Sequence, residues 1–266
     1  MQRIEATKLI DPLPIYTMWL REMKRFLRVK ARLISSILMP LLFLAFLGLP
    51  LSSIPAVGIK GIPEGMNYLD FLAPGIVAMT LLFTATMSGV SVVWDKEFGF
   101  LKEVLVAPVN RFSIILGRSL GGMTIAIIQA LIIVVIAVAM GVTISSLSGF
   151  FLSIVFMILT CATFTGFGLI LATKLGGSTE GFMAIVPLLV FPLFFLSGAL
   201  FPLDSMPAGI RYIMYIDPLT YGVDGLRGTL VGGAAFPLWL DFTVLLVLSI
   251  ALASLGAYFF SKMEAD

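Results

Sequence analysis

Five stretches of the chain contain no Asp, Glu, Lys or Arg: residues 33–59, 71–94, 119–173, 181–203 and 242–261. They make up more than half of the 266 residues, so the charged 12% is confined to the segments between them. A soluble domain carries about 25% charged residues. A helix that crosses the hydrocarbon layer needs about 20 apolar residues, and these stretches supply that length repeatedly. The pattern predicts an all-α integral membrane protein, and it excludes a soluble fold, a DNA-binding module and a disordered chain.

Four of the stretches fit one span each. The stretch 119–173 has room for two, joined by a turn at Thr143, Ser145, Ser146, Ser148 and Gly149. Six spans follow, at about 33–52, 71–94, 119–142, 150–173, 182–202 and 240–260, which puts both termini on one side. Fourteen Lys and Arg residues fall on the side of the termini, eight of them before the first span, against Lys60, Arg211 and Arg227 on the other. The positive-inside rule then predicts cytoplasmic termini and a multi-pass protein of the plasma (inner) membrane. The first apolar run begins at Leu33, too late and too long for the core of a cleaved signal peptide, so the first span is expected to stay in the protein.

The chain has no His and a single cysteine, Cys161, which lies in the fourth span. The usual zinc sites, His-based acid–base chemistry and intrachain disulfides are therefore excluded. No Asp, Glu, Lys, Arg or His falls in the middle of any span, where Gln129 is the most polar large side chain. Ion pumps and proton-coupled carriers need such groups at depth, and a serine without an activating base is not a nucleophile. No phosphate-binding loop occurs either: Gly176-Gly177-Ser178-Thr179 lacks the lysine. If the protein moves a solute, the energy is expected from another polypeptide, and this chain is expected to bind no cofactor or metal of its own.

Before the first span, Ile15, Met18, Trp19, Met23, Phe26 and Leu27 recur at helical spacing, with Arg21, Lys24, Arg25, Arg28 and Arg32 largely elsewhere around the wheel. This predicts an interfacial amphipathic helix in contact with membrane lipid. Pro40, Pro187 and Pro192 are expected to favour kinks. Gly117 with Gly121, and Gly166 with Gly168, offer smooth surfaces for close helix packing. The segment 203–239 has no span-length run yet keeps Ile210, Ile213, Met214, Ile216, Leu219, Leu226 and Leu230. It is read as short helices that re-enter the outer leaflet as a hairpin.

The segment 94–118, WDKEFGFLKEVLVAPVNRFSIILGR, joins the second and third spans. Trp94, Phe98, Leu101 and Leu105 share a helical stripe, charges surround it, and Pro108 closes it. Such a helix either docks in a groove of a soluble partner or rests on the membrane surface.

Glu97, Gly99, Leu101, Glu103, Leu105, Pro108 and Arg111, followed by Gly117, resemble the cytoplasmic segment of type-2 ATP-binding-cassette (ABC) permeases, a family that includes drug-resistance and Nod-factor exporters. FFLSGALFPLDSMP (194–207) and DPLTYGVDGLR (217–227) are similar to that family's fifth-span exit and outer hairpin. Phe100 departs from the pattern, since many members carry a small hydroxyl residue there. The resemblance implies a permease subunit of an exporter that pairs with a second copy, identical or paralogous, and sits on a separate ABC ATPase subunit that binds ATP and magnesium. It implies no nucleic-acid partner. It also implies that Glu97, Gly99, Leu101, Glu103, Pro108 and Arg111 form the coupling element, and that Pro218, Tyr221 and Arg227 belong to the outer hairpin or gate. Span interiors without fixed charge suit a hydrophobic or amphiphilic compound such as a drug, lipid or glycolipid. A passive channel or energy-independent flippase is the alternative reading, and an intramembrane enzyme lacks an activated nucleophile.

Overall fold

The computed structural model describes residues 11–52, 61–63, 65–99, 110–175 and 178–262. Every regular element among the described residues is a helix. Six of these helical stretches are long and apolar enough to cross a membrane: Ile34–Ser52, Tyr68–Glu97, Phe112–Ala139, Leu147–Leu175, Thr179–Leu196 and Leu238–Ser261. The protein is thus an all-α integral membrane protein.

In chain order the helices are α1 (Pro12–Arg28), α2 (Lys30–Phe43), α3 (Leu49–Ser52), α4 (Tyr68–Met87), α5 (Val90–Glu97), α6 (Arg111–Ala139), α7 (Leu147–Leu175), α8 (Thr179–Leu196), α9 (Ala208–Ile216), α10 (Pro218–Leu230) and α11 (Leu238–Ser261). A π-turn at Leu44–Gly48 links α2 to α3, four residues after Pro40. A proline removes one rung of the helix ladder, and a wider turn nearby is a common accommodation. α8 runs unbroken through Pro187 and Pro192, and α4 likewise contains Pro74.

α4 is the centre of the molecule. It is buried without interruption from Tyr68 to Leu82 and packs on α2, α6, α7, α8 and α10. By contrast α11, which packs chiefly on α7, leaves Trp239, Val247, Ile250, Leu255 and Tyr258 exposed. In a bilayer such side chains meet acyl chains as apolar as themselves, so close backbone packing and hydrogen bonds hold helices together instead.

Small residues make that close packing possible. The α4–α5 junction crosses α7 where a Cβ on Gly89 would stand 2.4 Å from Gly168 O, and one on Gly168 would stand 2.3 Å from Thr86 O. Gly166 meets the α11 backbone at Leu252 and Ala253. Gly117 and Gly121 on α6 face α1, at the Ile15 carbonyl and the Glu22 side chain. α1 therefore turns part of its apolar stripe to protein: Met18 and Phe26 are buried, while Leu13, Tyr16 and Leu27 stay exposed. The sequence reading sent the whole stripe to the headgroups. The glycine groove of α6 offers tighter contact than lipid does.

In the segment 203–239, a short turn at Leu203–Ser205 precedes α9 and α10. α10 is buried between α4, α7 and α11 through Leu219, Val223, Leu226 and Leu230. α9 is mostly exposed, with Tyr212, Ile213 and Ile216 outward.

Candidate functional site

One end of the molecule gathers α1, the end of α5 and the start of α6. Asp95, near the end of α5, is buried, and both of its oxygens accept Arg21 Nη2 at 2.7 Å. Arg118 of α6, also buried, donates Nη2 to the same carboxylate. Beside this cluster the Arg25 guanidinium lies 4.0 Å from the centre of the Trp94 ring, a cation–π contact that strengthens where water is excluded. Trp19 Nε1 donates to Thr124 Oγ1 at 3.1 Å. α1 is thus fastened to both helices that flank residues 98–110.

Glu97 closes α5, and its carboxylate reaches α8. It accepts the Thr179 amide at 3.0 Å and the Thr179 hydroxyl. Ser178 caps the same helix by accepting the Gly181 amide at 3.1 Å. A carboxylate at a helix N-terminus satisfies orphan amides and complements the helix dipole, so Glu97 joins the end of α5 to the start of α8. Gly99 follows at φ +75°, a left-handed conformation that favours glycine. Leu101, Glu103 and Pro108 lie outside the described residues. Arg111 opens α6, whose N-cap Asn110 accepts the Phe112 amide at 2.9 Å.

Between α1, α2, α4, α5, α6 and α8 lies a cavity of about 420 Å³. Its walls mix methionine and phenylalanine, including Met39, Met79, Phe83, Met183 and Phe191, with serine and threonine, and Glu22, Arg25 and Trp94 border it. Methionine is unbranched and polarisable, and it adapts to irregular apolar guests. A short polar string crosses this surface: Thr84 Oγ1 donates to Gln129 Oε1 at 2.6 Å, and Gln129 Nε2 donates to Ser36 Oγ at 2.7 Å. An apolar pocket with a few convergent polar groups is the usual form of a small-molecule site. Gln129, the most polar large side chain of the span centres in the sequence, is the middle member of that string.

At the opposite end, Pro218 is the first residue of α10, behind the N-cap Asp217, which accepts the Leu219 amide at 2.9 Å. Tyr221 donates its hydroxyl to the Tyr215 carbonyl at 2.8 Å and packs against the Phe236 ring. Arg227 is buried. It donates Nε to Phe71 O at 3.2 Å and Nη2 to Gly198 O at 2.9 Å, with its guanidinium 3.8 Å from the centre of the Phe71 ring. Three segments distant in sequence are thereby pinned together, namely the start of α4, the turn after α8, and α10.

Sequence reasoning missed Asp95 with Arg118, and also the buried pair Asp224 and Asp241 of α10 and α11. The available signal was position: Asp95 and Arg118 directly flank uncharged runs, and Asp241 directly precedes one. Among the described residues no group of three or more His, Cys, Asp or Glu side chains is arranged to hold a metal.

The ABC-2 type transporter family model matches residues 14–231. Named relatives agree. ycf38 of Cyanophora paradoxa, which carries the name transport permease, is 35% identical over 206 residues, covering 76% of this chain and 70% of that protein. YadH of Escherichia coli (strain K12), named an inner membrane transport permease, is 27% identical over 239 residues, 88% of this chain and 90% of that protein. YbhR of the same strain, named a multidrug ABC transporter permease, is 24% identical over 201 residues, 74% of this chain and 54% of that protein. With six membrane-crossing helices and a match over most of its length, the chain belongs to the ABC-2 type transporter family of permeases.

Proposed function

We propose that the chain is the membrane subunit of an ABC exporter in the plasma (inner) membrane, with its termini and the α1 end facing the cytoplasm. A separate ATPase subunit, carrying ATP and magnesium, docks on the segment around 98–110 and on α1, and a second permease copy completes the pathway. The substrate is a hydrophobic or amphiphilic compound accepted by the methionine-lined cavity. The name of YbhR supports this class, as does a wall that mixes apolar side chains with hydroxyl and amide groups, where Glu22 and Arg25 supply its charged side chains.

The observation that carries the reading is the bond from Glu97 to Thr179. A load applied to the segment after Glu97 passes directly to the N-terminus of α8, which lines the cavity through Met183 and Phe191. The Asp95 cluster passes the same load to α1 and α6. Glu97, Gly99, Leu101, Glu103, Pro108 and Arg111 are the coupling element in this reading, and Pro218, Tyr221 and Arg227 brace the outer end.

Co-purification in detergent with the ATPase encoded nearest to it tests the reading. Association weakened by Glu97→Ala combined with Leu101→Asp supports it. Unchanged association, or flux through the reconstituted subunit alone without ATP, overturns it in favour of a passive pathway.

A further inference from the structure

Asp224 on α10 and Asp241 in the first turn of α11 are both buried, with 1% and 0% of their surface exposed. Each Asp224 oxygen accepts one backbone amide, Oδ1 from Ala235 and Oδ2 from Phe236, both at 2.8 Å. α10 packs against α11 here, and the Asp224 and Asp241 carboxyls act on each other across that contact. Neither oxygen of Asp241 has a donor. Two ionised carboxylates facing each other in a dry environment repel each other, and a buried charge without a partner is strongly disfavoured. What the pair lacks is one donor, and one proton supplies it.

Charge balance gives the same count. Arg227, three residues along α10, is the basic group that faces Asp224. Two carboxylates and one guanidinium leave a net charge of −1, and a single shared proton makes the buried group neutral. A divalent cation would instead leave it at +1, and both Asp224 oxygens already hold amides. Of the other titratable groups nearby, Tyr221 faces Asp241 and donates its hydroxyl to the Tyr215 carbonyl. On α4, Asp70 accepts the Thr143 amide and Tyr68 faces Arg227. α7 carries Lys174 at its far end, and α6 carries Arg118 at its far end.

We propose that Asp224 and Asp241 form a proton-binding site in which one shared proton fastens the first turn of α11 and residues 231–237 to α10. Burial holds the Asp224 carboxyl above the usual carboxylate range. Loss of the proton leaves two repelling charges between α10 and α11 and loosens this end of the molecule. The inference does not depend on the transport reading, since it concerns only the contact of α10 with α11.

The test uses full-length protein in lipid nanodiscs, with Asp217→Asn as the background so that this separate buried carboxyl does not contribute. Infrared spectra are expected to show a protonated-carboxyl band at neutral pH that shifts in heavy water and disappears in Asp241→Asn. Thermal melting of the background protein should fall by several degrees as the pH is raised from neutral into the alkaline range. Asp241→Asn, whose amide donates permanently, should lose that dependence. If Asp241→Asn does not fold, the band and its titration in the background protein decide alone. Absence of the band at neutral pH, equal pH dependence in both proteins, or restoration of stability at high pH by calcium would overturn the proposal.

Discussion

The Asp95 carboxylate receives Arg21 Nη2 on both of its oxygens, across 74 residues of chain. Arg118 adds a third bond from α6, with its side chain only 5% exposed. Removing one partner of a buried ion pair typically costs about 3–5 kcal/mol, because the other charge is left uncompensated. Arg21 is partly exposed, so the penalty of Asp95→Asn is expected at the lower end, about 3 kcal/mol, and to come mainly from Arg118. Thermal unfolding in detergent measures it. Replacing both residues, Asp95→Leu with Arg118→Met, should recover much of the loss, and strictly additive losses would remove the ion pair as its cause.

The crossing of Gly89 and Gly168 leaves no room for a methyl group. Gly168→Ala would drive its Cβ against Thr86 O, a backbone atom that cannot rotate away. Overpacking of this kind costs about 1–3 kcal/mol. Gly209→Ala on α9 meets nothing within 4 Å and is expected to be neutral or to stabilise by up to about 1 kcal/mol. Melting temperatures of the two variants, measured side by side, check the contrast. Equal effects would contradict the close approach.

Gln129 bridges Thr84 and Ser36 across three helices. Side-chain hydrogen bonds between membrane helices contribute about 0.6 kcal/mol on average, so Gln129→Leu should alter stability by about 1 kcal/mol or less. Its larger expected effect is on ligands. Thermal stabilisation by amphiphiles that carry a hydroxyl or amide head should weaken, while purely apolar compounds keep theirs. Equal weakening of both classes would take the polar string out of recognition.

Asp217 caps α10, and burial pushes its carboxyl up to about 7. An unfolded Asp titrates near 3.9, so between those values the folded protein holds a proton that the unfolded chain releases. The stability linked to that proton is complete below about pH 4 and is lost as pH rises through about 7. Asp217→Asn keeps a capping acceptor and carries no charge to bury. It is expected to melt above the unsubstituted protein at about pH 8, with the gap closing toward about pH 5. A gap independent of pH would contradict the buried charge.

The six spans were legible because a bilayer imposes one length on every crossing helix, and uncharged runs of that length stand out against their flanks. The partners of the glycine pairs were not legible. Spacing at 117 and 121, or at 166 and 168, marks a smooth patch without saying which helix lies on it, and the answer for the first pair was α1. The Asp95 cluster was hidden for a related reason: counting charges by segment places Asp95 and Arg118 among solvated flanks, whereas three helices converge there and bury them. Glu97 stood out in the sequence as part of a motif. Its bond to Thr179 depends on α5 ending beside the start of α8, a relation between helices 82 residues apart in the chain.

The spans differ in height. At 1.5 Å per residue, the 29 residues of α6 and of α7 rise about 44 Å, whereas the 18 residues of α8 rise about 27 Å. A hydrocarbon layer of about 30 Å is overshot by the first two and not quite filled by the third. Lipid yields to a short helix by thinning around it, and α8 forms one wall of the cavity. The bilayer is therefore expected to thin beside that wall of the cavity.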